Sequence, residues 1–141
     1  MALRRRNRDQ RGAAAVEFAL ILPIFLMVLF GIIDFGYAIN RASLVNNAAR
    51  DAVREASFGA TEAQVKAVAD VTLEGIPNYR VVVSCKKKDN TPCAWTTDAK
   101  SGAGVEAIVR VEYRHEFITP VSMFFSGGLD LSRQAVMRIE G

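Results

Sequence analysis

Twenty-one consecutive residues, Ala13 to Ile33, carry a single charge, Glu17. As an α-helix this run reaches ~31 Å, close to the ~30 Å hydrocarbon core of a bilayer. In lipid a segment must satisfy its own backbone groups, and a helix does so internally. Residues 13–33 therefore read as a transmembrane helix. Arg4, Arg5, Arg6, Arg8 and Arg11 precede it, with Asp9 the one acid among them. Positive flanks stay cytoplasmic. Residues 1–12 are accordingly expected inside the cell and residues 34–141 across the membrane, which in a bacterium means the periplasm or the cell exterior.

The 141 residues leave room for that helix and one domain of about 100 residues. The net charge is +3 and the isoelectric point about 9.1. Residues 1–12 alone carry +4, so the remainder is slightly acidic. The basicity belongs to the flank, which argues against nucleic-acid binding, and Lys86-Lys87-Lys88 reads as a solvated loop. Cys85 and Cys93 both fall on the side where disulfides persist. A bridge between them would close a nine-residue loop, worth ~2.6 kcal/mol in the chain-entropy picture. Two reduced thiols or half of a metal site are the alternatives, but two cysteines without nearby histidines make a poor zinc set.

The order of features before the helix is informative. A secretory signal has its small-residue cleavage site after an apolar core of ~7–15 residues. Here the core is longer, and the small residues Gly12-Ala13-Ala14-Ala15 come before it. Any cleavage would fall on the cytoplasmic side and leave the helix on the product. Glu17 is the fifth residue of the apolar run, and Phe18 follows it. A carboxylate inside a membrane helix is costly unless paired or protonated, which makes Glu17 a functional candidate. The bland alternative is that it lies at headgroup depth and needs no partner.

A basic leader ending in Gly12, an apolar run starting at Ala13, and Glu17-Phe18 within it together resemble the processing site of type IV pilin-like proteins. The wider pattern is Gly12 through Glu17-Phe18 to Pro23, then Gly31-Ile32-Ile33-Asp34-Phe35-Gly36, then Asn46-Asn47-Ala48-Ala49-Arg50-Asp51-Ala52-Val53-Arg54. It resembles the TadE-like family, pseudopilins of the tight-adherence (Tad/Flp) pilus machinery. The resemblance covers residues 11–58. It implies a minor pilin or pseudopilin acting in pilus assembly and surface adherence. A prepilin peptidase would recognise the leader, Gly12 and Glu17 and cut between Gly12 and Ala13. Glu17 would then pair with the new N-terminal amine of a neighbouring subunit. The implied partners are that peptidase, the pilin, another pseudopilin, the inner-membrane platform and the inner membrane itself.

Past Asp34 the helical pattern continues. Phe35, Ala38, Ala42, Val45, Ala49, Ala52 and Ala56 recur at spacings of three and four, one face of a helix. The membrane helix is expected to run on as an amphipathic helix to about Ser57, stopped by Gly59. Pro23, tolerated in membrane helices, makes a kink or partial unwinding near residues 19–23 an expectation. Residues 45–56 are expected in the domain core. Thr61 to Gln64 fits a capping box. The second helix it opens carries Val65, Val68 and Thr72 on one face, to about Glu74. Three strand-like segments follow: Tyr79–Cys85, Val105–Phe117 with clear alternation, and Leu129–Ile139 interrupted by Arg133. Trp95 is expected to anchor the loop of residues 86–104. The uncharged Phe117–Phe125 stretch leaves three readings open: core packing, bilayer contact or a partner.

The expected fold class is α+β: a long N-terminal helix, transmembrane then amphipathic, packed on a three-stranded antiparallel sheet, as in pilins. The expected division is a leader (1–12), a membrane helix (13–33), its amphipathic continuation (34–58) and a head domain (59–141). No catalytic constellation is evident, so the chain reads as no enzyme, without cofactor, metal site or small-molecule substrate. His115, on the mostly apolar side of a strand, reads as a buried or edge histidine. The serines lack a nucleophile-elbow context. The rival reading of the whole is an uncleaved, membrane-anchored periplasmic binding module.

Overall fold

The computed structural model describes residues 6–95, 104–123 and 127–139. The elements run α1 (Arg6–Ser57), α2 (Glu62–Thr72), β1 (Tyr79–Lys86), β2 (Glu106–His115), a short 3-10 helix (Pro120–Met123) and β3 (Leu129–Arg138). The three strands form one antiparallel sheet in the order β1-β2-β3. The chain resolves into two compact units. One takes α1 up to Tyr37 together with the segment from Phe117; the other takes Ala38–Glu116 and the chain from Gly127.

α1 is a single helix of 52 residues. It begins within the arginine-rich flank. Arginine is a good helix former, and extending an existing helix fixes one residue per hydrogen bond gained. The helix also passes through Pro23 without interruption, so the expected unwinding does not occur. Gly59 ends it with φ +77°, a conformation costly for residues with a Cβ. The N–H of Gly59 donates to the Ala56 carbonyl at 3.1 Å.

In the second unit Val45, Ala48, Ala49, Ala52, Val53 and Ala56 are buried. The expected stripe holds over residues 45–56, with Ala48 and Val53 widening it. Phe35 does not belong to it: the residue is 69% exposed. A spacing of three and four drifts around a helix, and Phe35 stays on the surface continuous with the apolar run.

α2 starts as expected. The Thr61 Oγ1 accepts from the Gln64 N–H, and the Gln64 Oε1 accepts from the Thr61 N–H at 2.9 Å. Its buried face is Val65 and Ala69, extended by Leu73 beyond the helix. Val68 and Thr72 are only half-buried, so the face lies on the four-residue ridge rather than at Val65, Val68 and Thr72. The Tyr79 hydroxyl donates to Asp70 at 2.7 Å. That bond to a carboxylate, more than burial, raises the phenol above its ordinary range.

β2 is the central strand, and its alternation is complete. Ala107, Val109, Val111, Tyr113 and His115 are buried, while Arg110 and Arg114 are exposed. In register with these rows stand Val81, Val83 and Cys85 of β1 and Leu131 and Ala135 of β3. Arg133 falls opposite Val111. It escapes burial because β3 is an edge strand, and its guanidinium donates to the Ser132 carbonyl at 3.1 Å. On the other sheet face Arg110 donates to Gln134 at 2.8 Å and Lys86 pairs with Glu106 at 3.1 Å. Where β3 begins, a Cβ on Gly128 would lie 2.7 Å from the His115 carbonyl, so the close approach requires glycine.

Candidate functional site: the apolar helix and its boundary

Gly12, Ala13, Glu17 and Phe18 all lie on α1, in its exposed first half. Residues four apart on a helix stand one turn apart on one face. That puts Glu17 on the same side as Ala13, the residue whose nitrogen a cut after Gly12 would free. Around them the helix is apolar on all sides. Its most hydrophobic window has a mean hydropathy of 2.7, and none of that window is buried in the protein. A helix hydrophobic all round belongs inside a large core or a membrane. Among the described residues it is the one helix long and apolar enough to cross a bilayer, which is consistent with a single-pass anchor.

The end of the apolar run is built differently from its start. Asp34, the first residue after it, is only 2% exposed. Its Oδ1 accepts from the Ile118 N–H at 3.0 Å, and its Oδ2 from the Thr119 hydroxyl. These bonds compensate the burial of a carboxylate that would otherwise be costly. They also tie the segment after β2 to the helix at one defined level. In the sequence Asp34 marks only the end of the apolar run and part of the family pattern. Its partner lies 85 residues away, beyond any local signal; the apolar character of the Phe117 segment was the available clue.

Two large apolar side chains of that segment are open. Ile118 is 62% and Met123 83% exposed, and the segment belongs with the first 37 residues of the chain. For Ile118 and Met123, core packing, one of the three readings left open by the sequence, is thereby corrected. Phe124 and Phe125 lie outside the described residues.

Cys85 and Cys93 are disulfide-bonded, with their Cα atoms 5.4 Å apart. The bridge closes a turn in which Lys87 N–H donates to the Thr91 carbonyl at 2.8 Å and Cys93 N–H to the Cys85 carbonyl at 3.2 Å. Within the turn Asp89 accepts from the Thr91 hydroxyl at 2.6 Å and its N–H at 3.1 Å, and these bonds lower the carboxyl below its ordinary range. Trp95 packs half-buried against the core, as expected of a loop anchor. The rest of the loop's tip, from residue 96 to 103, lies outside the described residues.

His115 is fully buried on the inner face of β2, its ring 6.1 Å from that of Tyr113. A buried position keeps it from any bulk substrate. Among the described residues, clefts flank the sheet. One is lined by Arg80, Glu112, Arg114 and Asp130, the other by Lys86, Lys87, Lys88 and Arg138 with Glu106. The first is of mixed charge, and the second is mainly basic, with Lys86 paired to Glu106. Among the described residues no group of histidine, cysteine, aspartate and glutamate could hold a metal ion.

A helix that is exposed and apolar in its first half and packed on an antiparallel sheet in its second defines the class: an α+β protein with one long N-terminal helix on a three-stranded antiparallel sheet. Within that class, residues 12–54 match the family model described as TadE-like protein, the family the sequence resembles. The match begins at Gly12 and ends at Arg54, so it covers the helix and not the head. No curated protein and no solved structure matches the chain.

Proposed function

We propose that the chain is a minor pilin or pseudopilin of the Tad/Flp system. In this reading a prepilin peptidase removes residues 1–12, and residues 13–33 hold the product in the inner membrane with the N-terminus cytoplasmic. Residues 34–58 continue the helix as the spine of a periplasmic head completed by residues 59–141. Glu17 meets the freed amine of an adjacent subunit, and the head presents a face to the pilin, a second pseudopilin or the assembly platform.

The observation that carries the proposal is a coincidence of boundaries. The family match starts at Gly12, at the point where the arginine-rich flank gives way to the exposed apolar helix. A tether for an unrelated binding module needs no carboxylate at the fifth position of that apolar run. Deleting the gene should abolish Tad pili seen by electron microscopy and surface adherence with them, and the intact gene in trans should restore both. Normal piliation in the deletion strain would remove the proposal.

A further inference from the structure

The segment tied to Asp34 has a defined height. The apolar run ends at Ile33 after ~31 Å of helix, the thickness of a hydrocarbon core. Asp34 therefore stands at the far boundary of the bilayer, and so does whatever it binds. It binds Ile118 and Thr119. From Phe117 to Leu129 the chain carries no charge. Ile118 and Met123 are large, apolar and open, in the same unit as the exposed Ile32, Ile33 and Phe35 of α1.

We propose that Phe117–Met123 is a membrane foot, a short segment inserted at the headgroup–acyl boundary of the leaflet where the helix emerges. Its ligand is phospholipid. Continuity with the membrane-spanning surface argues for lipid over a protein partner: the foot is pinned to the residue that ends that surface. Apolar side chains gain by leaving water at this depth. Asp34 serves as a positioning residue. The foot would fix how deep the helix sits and how far it can slide along the membrane normal. The inference rests on the helix crossing a bilayer and not on a role in the pilus.

The test uses the full chain in phosphatidylcholine–phosphatidylglycerol vesicles. Met123→Cys is labelled with an environment-sensitive fluorophore without reductant, which leaves the Cys85–Cys93 bridge closed. Lipids brominated near the top of the acyl chain should quench this probe at least about twofold more than lipids brominated near the bilayer centre, as an interfacial depth requires. A probe at Ser132→Cys, on the exposed side of β3, should respond only to aqueous iodide. A probe at Val28→Cys reports the helix itself and should respond to the deep bromines. Asp34→Ala, or the milder Thr119→Val, should reduce lipid quenching at Met123 and leave the Val28 probe unchanged.

A Met123 probe open to iodide, with the Val28 probe still quenched by lipid, would overturn the foot while leaving the anchor intact. Protection of Met123 that disappears on dilution of protein into excess lipid would assign the segment to a second copy of the chain and also overturn it. Lipid quenching at Met123 unaffected by both Asp34→Ala and Thr119→Val would overturn the positioning role.

Discussion

Val109→Asp unfolds the head. Val109 sits at the centre of the central strand with no solvent exposure, between Val83 of β1 and Ala135 of β3. A carboxylate there faces the buried side of α1 without a partner, and an unpaired buried charge costs roughly 4 kcal/mol or more. A small domain has about 5–15 kcal/mol of stability in all. The isosteric Val109→Thr buries only a hydroxyl and should cost about 1–3 kcal/mol. The single tryptophan, Trp95, packs half-buried on the same core and reports the head separately from the long helix. In detergent-solubilised full-length protein, Trp95 emission should be red-shifted in Val109→Asp at room temperature. In Val109→Thr it should be native, with a lowered melting temperature. A native melt for Val109→Asp would mean that this sheet face is not the one buried.

Glu17→Ala separates the two readings of the membrane carboxylate. The substitution removes a group that costs several kcal/mol at membrane depth, so insertion and helix formation are expected to be as good or better. If Glu17 merely lies among headgroups, nothing else changes. If it offsets the amine at residue 13 of a neighbouring subunit, the low surrounding dielectric makes its loss severe. We expect cleavage to continue and assembly to fail: the protein should accumulate in the membrane, and pili should fall by about tenfold or more, the response to ~1.4 kcal/mol or more of lost subunit affinity. Glu17→Gln, which keeps the shape and removes the charge, should fail as well. Wild-type piliation with alanine at this position would show that Glu17 has no partner.

The parts of this protein that were legible from sequence are those whose signals are local. A period of two over residues 105–115 specified which side of β2 is buried, because one face of that strand is core and the other is water. Thr61 and Gln64 specified the start of α2 through a reciprocal cap. The end of α1 at Ser57 followed from Gly59. The face of α2 is less legible, because Ala69 is only weakly hydrophobic and Val68 and Thr72 stand out beside it. In the fold the small side chain is the one the core accepts, in line with Val65 and Leu73.

The candidate site divides in the same way. Gly12, Glu17 and the apolar run are contiguous and could be read along one helix. The Asp34 lock could not. Its members are an aspartate at the end of that helix and a backbone N–H and hydroxyl more than 80 residues later, brought together only once β2 has returned the chain to α1. Nothing in the local pattern around Asp34 distinguishes a buried acceptor from an ordinary solvated boundary charge. The apolar Phe117 segment was visible as an anomaly, but its placement depended on that distant bond.

The claim on which the proposed function turns is cleavage after Gly12, and intact-mass spectrometry tests it directly. The protein should be extracted from membranes of cells with an active prepilin peptidase, and from otherwise identical cells lacking it. The expected masses are those of a chain beginning at Ala13 in the first case and of the uncut chain in the second, with Gly12→Arg giving the uncut mass in both. An uncut chain in the presence of the active peptidase would contradict the pseudopilin assignment and favour a permanently anchored binding module.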